Sequence, residues 1–78
     1  QIFSEIGEIR HLPANSAEAQ TLIRKLQRFI TEHYYTCTDE ILKGLGQLYT
    51  ADKRFKENID KAGGAGTAEF TANVIKSI

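Results

Sequence analysis

Disulfide chemistry is absent from this 78-residue chain, because Cys37 is its one cysteine and has no partner in the sequence. Metal-ligand spacing is missing too: His11 and His33 lie far apart, with no acidic or thiol partner at the right interval. No apolar run is long enough to span a bilayer, and no signal peptide leads the chain. An excess of charge of either sign is also lacking. Ten basic residues face ten acidic ones, whereas a duplex-binding domain gathers Lys and Arg on one face. Direct DNA binding is therefore not expected of these residues, and any DNA-reading part lies outside them. Strand alternation, heptads, internal repeats and low-complexity tracts are likewise missing, apart from the short AGGAG turn at 62–66. The chain opens on Gln1 rather than a methionine and reads as a piece of a larger cytoplasmic protein.

What is present is helical periodicity over a modest apolar content of 41%, carried mainly by nine isoleucines and six leucines. A chain of this size buries roughly 60–65% of the surface that its unfolded form exposes, so stability is expected to be modest. Ile2, Ile6 and Ile9, with Phe3 beside them, form one stripe from Ile2 to Arg10 that fades before Pro13. Asn15 or Ser16 can cap the next helix, and Glu18 completes a capping-box pattern with Asn15. Leu22, Ile23, Leu26, Phe29, Ile30 and His33 then recur at helical spacing to about Tyr34. Thr36 or Thr38 can cap a third helix, Asp39 to Tyr49, with an apolar arc of Ile41, Leu42, Leu45, Leu48 and Tyr49. Asp52 can cap a fourth, with Phe55, Ile59 and Ala62 inward, and Gly63 and Gly64 stop it. Thr67 caps a last helix carrying Phe70, Val74, Ile75 and Ile78. Five short helices with brief connections predict a compact all-α fold and one domain over residues 1–78.

Two glycines interrupt the third helix. Each interior glycine costs a helix about 0.5–1 kcal/mol relative to alanine, so Gly44 and Gly46 point to close approach by another helix or a ligand.

Candidate chemistry is sparse. Cys37 could be a thiolate activated at a helix N-terminus, but a lone cysteine here reads first as a small buried apolar residue. His33 is expected to pack at its helix edge or favour the helix dipole. Asp39 and Glu40 are adjacent and point apart on a helix, so they do not form an acid–base pair, and Asp39 is expected to serve the helix N-terminus. Gly63 to Gly66 lacks the strand and lysine of a phosphate loop and reads as a turn. Among the aromatics that could line a pocket, Phe55 and Phe70 are expected in the core. Tyr34 and Tyr35, at a helix junction, are the better ligand contacts. Arg54, Asn58 and Asp60 are expected to hold the fourth helix to its neighbours.

The register of Tyr35, Cys37, Thr38, Glu40, Ile41, Leu45, Gly46, Tyr49, Asp52, Arg54, Phe55, Asn58, Ile59 and Asp60 resembles the thiostrepton-recognition (TipAS-type) domain. That domain is the antibiotic-binding module at the C-terminus of certain MerR-family transcription activators. The resemblance extends upstream into LPANSAEAQTLIRKL and downstream through GAGTAEFTANVI, and so covers nearly everything after His11. It implies a globin-like helical arrangement, a thiopeptide or other hydrophobic antibiotic as ligand, no cofactor and no membrane. It further implies DNA contact only through a domain absent from this chain, a homodimeric full-length protein, and a flexible region preceding Gln1. The family cysteine that captures dehydroalanine-containing thiopeptides falls at the position of Gly44, which implies reversible binding here. The expected ligand residues are Tyr34, Tyr35, Cys37, Glu40, Ile41, Gly44, Gln47 and Leu48. A rival reading is a protein–protein module whose glycine-notched helix docks a partner helix. An enzyme is the third, and no nucleophile, base and orienting group can be assembled for it.

Overall fold

Capping chemistry and apolar spacing divide the chain into five helices in the computed structural model, which describes residues 2–78. They are α1 (Ile2–Glu8), α2 (Ala17–His33), α3 (Asp39–Ala51), α4 (Lys53–Gly63) and α5 (Thr67–Lys76). No strand occurs among the described residues, so the all-α expectation holds. None of these helices is long and apolar enough to cross a membrane.

Each of the later helix starts has an identifiable acceptor. Ser16, rather than Asn15, caps α2 by accepting from the Ala19 N–H at 3.2 Å, and Thr38, rather than Thr36, caps α3 by accepting from Ile41 at 3.2 Å. Asp52 closes α3 with its backbone and caps α4 with its carboxylate, 2.9 Å from the Arg54 N–H. One residue thus makes the whole corner, which is why α3 runs on to Ala51 rather than stopping at Tyr49. At α5 the expectation fails. Thr67 lies inside the helix, fully buried, and its hydroxyl donates to the Gly64 carbonyl at 2.6 Å. Asp60 supplies the missing acceptor from the preceding helix, 2.9 Å from the Ala68 N–H. Of the polar residues expected to tie α4 down, Asp60 does so. Arg54 and Asn58 are exposed, and Arg54 reaches only Asp52, at 3.9 Å.

The core is built from one face of every helix: Ile6 of α1, Ile23 and Leu26 of α2, Leu42 of α3, Ile59 of α4, and Ala68, Val74 and Ile75 of α5. Helix α1 is two residues shorter than its apolar stripe, because turns closed by the Ile6 and Ile9 carbonyls follow Glu8. It packs backbone to backbone on α4, where any side chain at Gly7 would overlap Gly63. Arg10 seals that crossing by donating to the Gly7 carbonyl at 2.6 Å and the Gly63 carbonyl at 2.9 Å. Two helix C-termini thereby share one guanidinium. Helix α3 has its most extensive contact with α5, and α2 packs on α1 and α5. Consecutive though they are, α2 and α3 scarcely meet. That separation positions the site described next.

Candidate functional site

Helices α2 and α3 are joined by side chains at the first turn of α3 but pack little beyond it, which leaves the inward side chains of α2 facing a gap. Between α1 and α2, closed on the α3 side by Tyr49, lies a cleft of about 490 Å³ whose apolar walls are Phe3, Leu26, Phe29, Ile30, Tyr34 and Tyr49. Ring contacts order one side of it. Phe3 meets Tyr49 edge-on with centroids 5.9 Å apart, and Tyr49 touches Phe55 at 6.1 Å. Phe29 packs on His33 at 4.6 Å, which places His33 at its helix edge as expected. Lys25 and Glu5, paired at 2.9 Å, form the polar margin. The lysine holds the Glu5 carboxyl below the usual carboxylate range by donating a hydrogen bond to it. Burial pushes the Tyr49 phenol up to about 12, so it is a neutral hydroxyl throughout the physiological range.

Next to the cleft runs the outer face of α3. Ile41 and Leu48 are 39% and 38% exposed, and at Gly44 an added Cβ would meet no atom within 4 Å. These three positions share a helix face, and Leu45 lies between that face and Tyr49. The apolar surface therefore continues from the cleft wall onto α3. Gly46 differs. It is buried, and a Cβ there would stand 3.0 Å from the Ile75 side chain, so its lack of a side chain serves α5 alone.

The residues expected from sequence thus separate. Tyr34 lines the cleft; Tyr35 is exposed at the α2–α3 connection; Glu40, Ile41, Gly44 and Leu48 share the open side of α3. Gln47 turns toward a different groove, between α3 and α5. Cys37 is not on this surface at all. It is 4% exposed, fastened by its N–H donating to Thr31 Oγ1 at 3.0 Å and its carbonyl accepting from Gln27 at 2.9 Å. Burial pushes its thiol pKa up, and the Asp39 charge adds to this, so it is the small buried residue rather than a reactive group. Asp39 itself accepts from Gln27 at 2.9 Å and Arg24 at 2.8 Å, which hold its carboxyl low and anchor the start of α3 to α2.

Phe55 contradicts the core expectation. Because α4 begins one residue after α3 ends, its first turn projects past the corner, and the ring is 44% exposed against Tyr49. Phe70 is partly buried against the core as expected. Ile2 and Phe3 are pocket residues that the sequence does not mark as such, since only the α1–α4 crossing brings them beside α2 and α3. Among the described residues no group of three or more His, Cys, Asp or Glu side chains could hold a metal ion.

A family model described as the TipAS antibiotic-recognition domain matches residues 1–78. The chain is also 34% identical over 69 residues to the HTH-type transcriptional activator mta of Bacillus subtilis (strain 168). That similarity covers 88% of this chain but 26% of the relative, so the chain spans about a quarter of the relative's length. No solved structure matches it.

Proposed function

The chain belongs to the TipAS antibiotic-recognition domain family, and from that membership we propose that it is the ligand-sensing part of a MerR-type transcription activator. Its ligand is a thiopeptide-like or other bulky apolar antibiotic, held without a covalent bond. The observation that carries this reading is the aromatic cleft left open between α1 and α2 beside Tyr49 of α3. Its volume of about 490 Å³ and mostly apolar lining have the character of a drug-sized site. The ligand lies against Phe3, Phe29, Tyr34 and Tyr49 and reaches across Leu45 to Ile41, Gly44 and Leu48, with Glu40 and Tyr35 at its margin. Binding is reversible because glycine offers no nucleophile at position 44 and the Cys37 thiol is buried.

A sensor must bind its ligand with different affinity in two states. Helix α1 is suited to register the difference, since Ile2 and Phe3 line the cleft while Gly7 of the same helix rests on α4. In the complete regulator, which works as a cytoplasmic homodimer, DNA is read by a part outside this chain, and the sensor acts on it through the shared polypeptide. Zero net charge agrees with that division of labour.

Titration with a panel of thiopeptides, followed by amide NMR, tests the proposal. Shifts should centre on Phe3, Phe29, Ile30, Tyr34 and Tyr49. A folded domain whose cleft resonances stay still with every thiopeptide would reject it. The same result would favour a second reading, in which the open notch at Gly44 between Ile41 and Leu48 receives a partner helix.

A further inference from the structure

The opposite flank of α3 carries a second groove that the cleft does not explain. Gly46, Ala72 and Ile75 form a low floor where α3 and α5 approach most closely, and longer side chains stand on both sides of a trench of about 560 Å³. Lys43 and Gln47 rise from α3, Asn73 and Lys76 from α5, and Lys56 closes the trench from α4.

Charge is distributed unevenly here. The ion pairs of the described residues are Arg24 with Asp39, Lys25 with Glu5, Lys53 with Glu57 and Arg54 with Asp52. Lys43, Lys56 and Lys76 take part in none of them, although the chain as a whole is neutral. Three ammonium groups outside any ion pair therefore border one trench against the single carboxylate of Glu69, although Lys43 also feels the Asp39 charge. The side-chain amides of Gln47 and Asn73 likewise make no hydrogen bond among the described residues. An amide both donates and accepts, which matches the alternating N–H and C=O groups of an extended peptide.

We propose that the α3–α5 trench binds an extended acidic peptide segment, with Gln47 and Asn73 pairing its backbone and Lys43, Lys56 and Lys76 drawing its carboxylates. Glu69, which also lines the trench, repels a carboxylate at its own position and so favours a neutral or basic residue there. The same carboxylate, and the neutral chain around it, disfavour a nucleic acid backbone, which rewards unbroken basic surface. This site is separate from the antibiotic cleft and does not depend on its assignment.

A fluorescein-labelled glutamate peptide with one interior alanine to lie opposite Glu69, titrated with the 78-residue domain at low ionic strength and read by anisotropy, is the direct test. Saturable binding is expected, with amide shifts at Lys43, Gln47, Asn73 and Lys76. Lys43→Glu and Lys56→Glu should each weaken it about fivefold, the scale on which one exposed charge pair is replaced by a repulsion. Gln47→Ala and Asn73→Ala should weaken it as well, whereas Arg28→Glu, which removes a cation on α2 away from the trench, should not. Dispersed amide spectra establish that each variant is folded. The proposal is overturned by absence of saturable binding, by equal weakening from Arg28→Glu, by indifference to both amide variants, or by tighter binding of a single-stranded oligonucleotide of equal charge.

Discussion

Helix α3 is closed on one flank and open on the other. Toward α5 the contact is so close that Gly46 leaves no room for a Cβ without displacing Ile75, itself 1% exposed. Toward α2 the helix meets little, and Ile41, Gly44 and Leu48 remain accessible beside a cleft lined with aromatic rings. Two glycines separated by one residue thus do different things. Gly46 is a packing solution, with a stability consequence if changed. Gly44 leaves space unfilled by the protein, which is the property wanted of a binding surface. The same helix propensity penalty is accepted in both cases, but only one of them is returned as core contact.

The largest effect should come from emptying the closed flank. Ile75→Ala is expected to destabilise by about 2–5 kcal/mol in urea denaturation, the range for truncating a buried isoleucine. On the open flank Phe55→Ala, whose ring is 44% exposed, should cost less than about 1 kcal/mol. Equal losses at the two positions would erase the contrast.

Alkaline titration probes where the flanks meet, at Tyr49. Its pKa is raised from the ordinary 10.0 to about 12, chiefly by burial and further by Tyr35 and Cys37. A folded pKa above the unfolded one means that the stabilising contribution is complete below pH 10 and is lost as pH rises through 12. The loss approaches roughly 2–3 kcal/mol, since each tenfold difference in proton affinity between the folded and unfolded chain is worth about 1.4 kcal/mol. Tyr49→Phe should flatten the decline in melting temperature between pH 10 and 12. A decline that persists undiminished in the variant would assign it to other groups.

Next in size are the glycines. Gly46→Ala sets a gain in helix propensity of about 1 kcal/mol against overpacking of about 1–3 kcal/mol, for a net loss up to about 2 kcal/mol. Gly44→Ala meets open space and should stabilise by about 0.5–1 kcal/mol. Opposite signs in thermal melts sustain the comparison, and a loss at both positions would contradict the space observed at Gly44. Pairing Gly46→Ala with Ile75→Val should recover part of the first loss, because the two residues touch.

This distinction is not legible in the sequence. Helix periodicity and cap residues are enough for α2 and α4, whose starts are set by Ser16 and Asp52 within their own segments. At α5 the cap comes from Asp60, in the preceding helix, so local spacing points instead to Thr67. Both α3 glycines are visible as anomalies, yet which one faces a neighbour depends on where α5 docks. Ile41, Leu48 and Phe55 fit an apolar stripe as well as truly buried residues do. Their exposure follows from the splay between α2 and α3 and from the tight Asp52 corner, neither of which is encoded at those positions. The cleft also draws on Phe3 from α1 and Tyr49 from α3, residues brought together by topology rather than by sequence separation.

The smallest change in stability should accompany the sharpest test of function. Gly44→Cys places a side chain in open space and improves helix propensity by only a few tenths of a kcal/mol, so the variant should melt close to the native chain. Its thiol, unlike that of Cys37, stands on the exposed face between Ile41 and Leu48. If a thiopeptide bound in the cleft extends over that face, the new thiolate can add to the β-carbon of a dehydroalanine. The sulfur–carbon bond forms as the alkene is consumed, and the α-carbon takes up a proton. Intact-mass spectrometry after denaturation should then show Gly44→Cys carrying the full ligand mass, with the native chain unmodified. Adding Cys37→Ala should leave the adduct intact. An adduct on the native chain would mean that Cys37 is accessible during binding, against its 4% exposure. Cleft NMR shifts without any adduct on Gly44→Cys would confine the ligand to the aromatic cleft and leave the open flank of α3 for the partner helix.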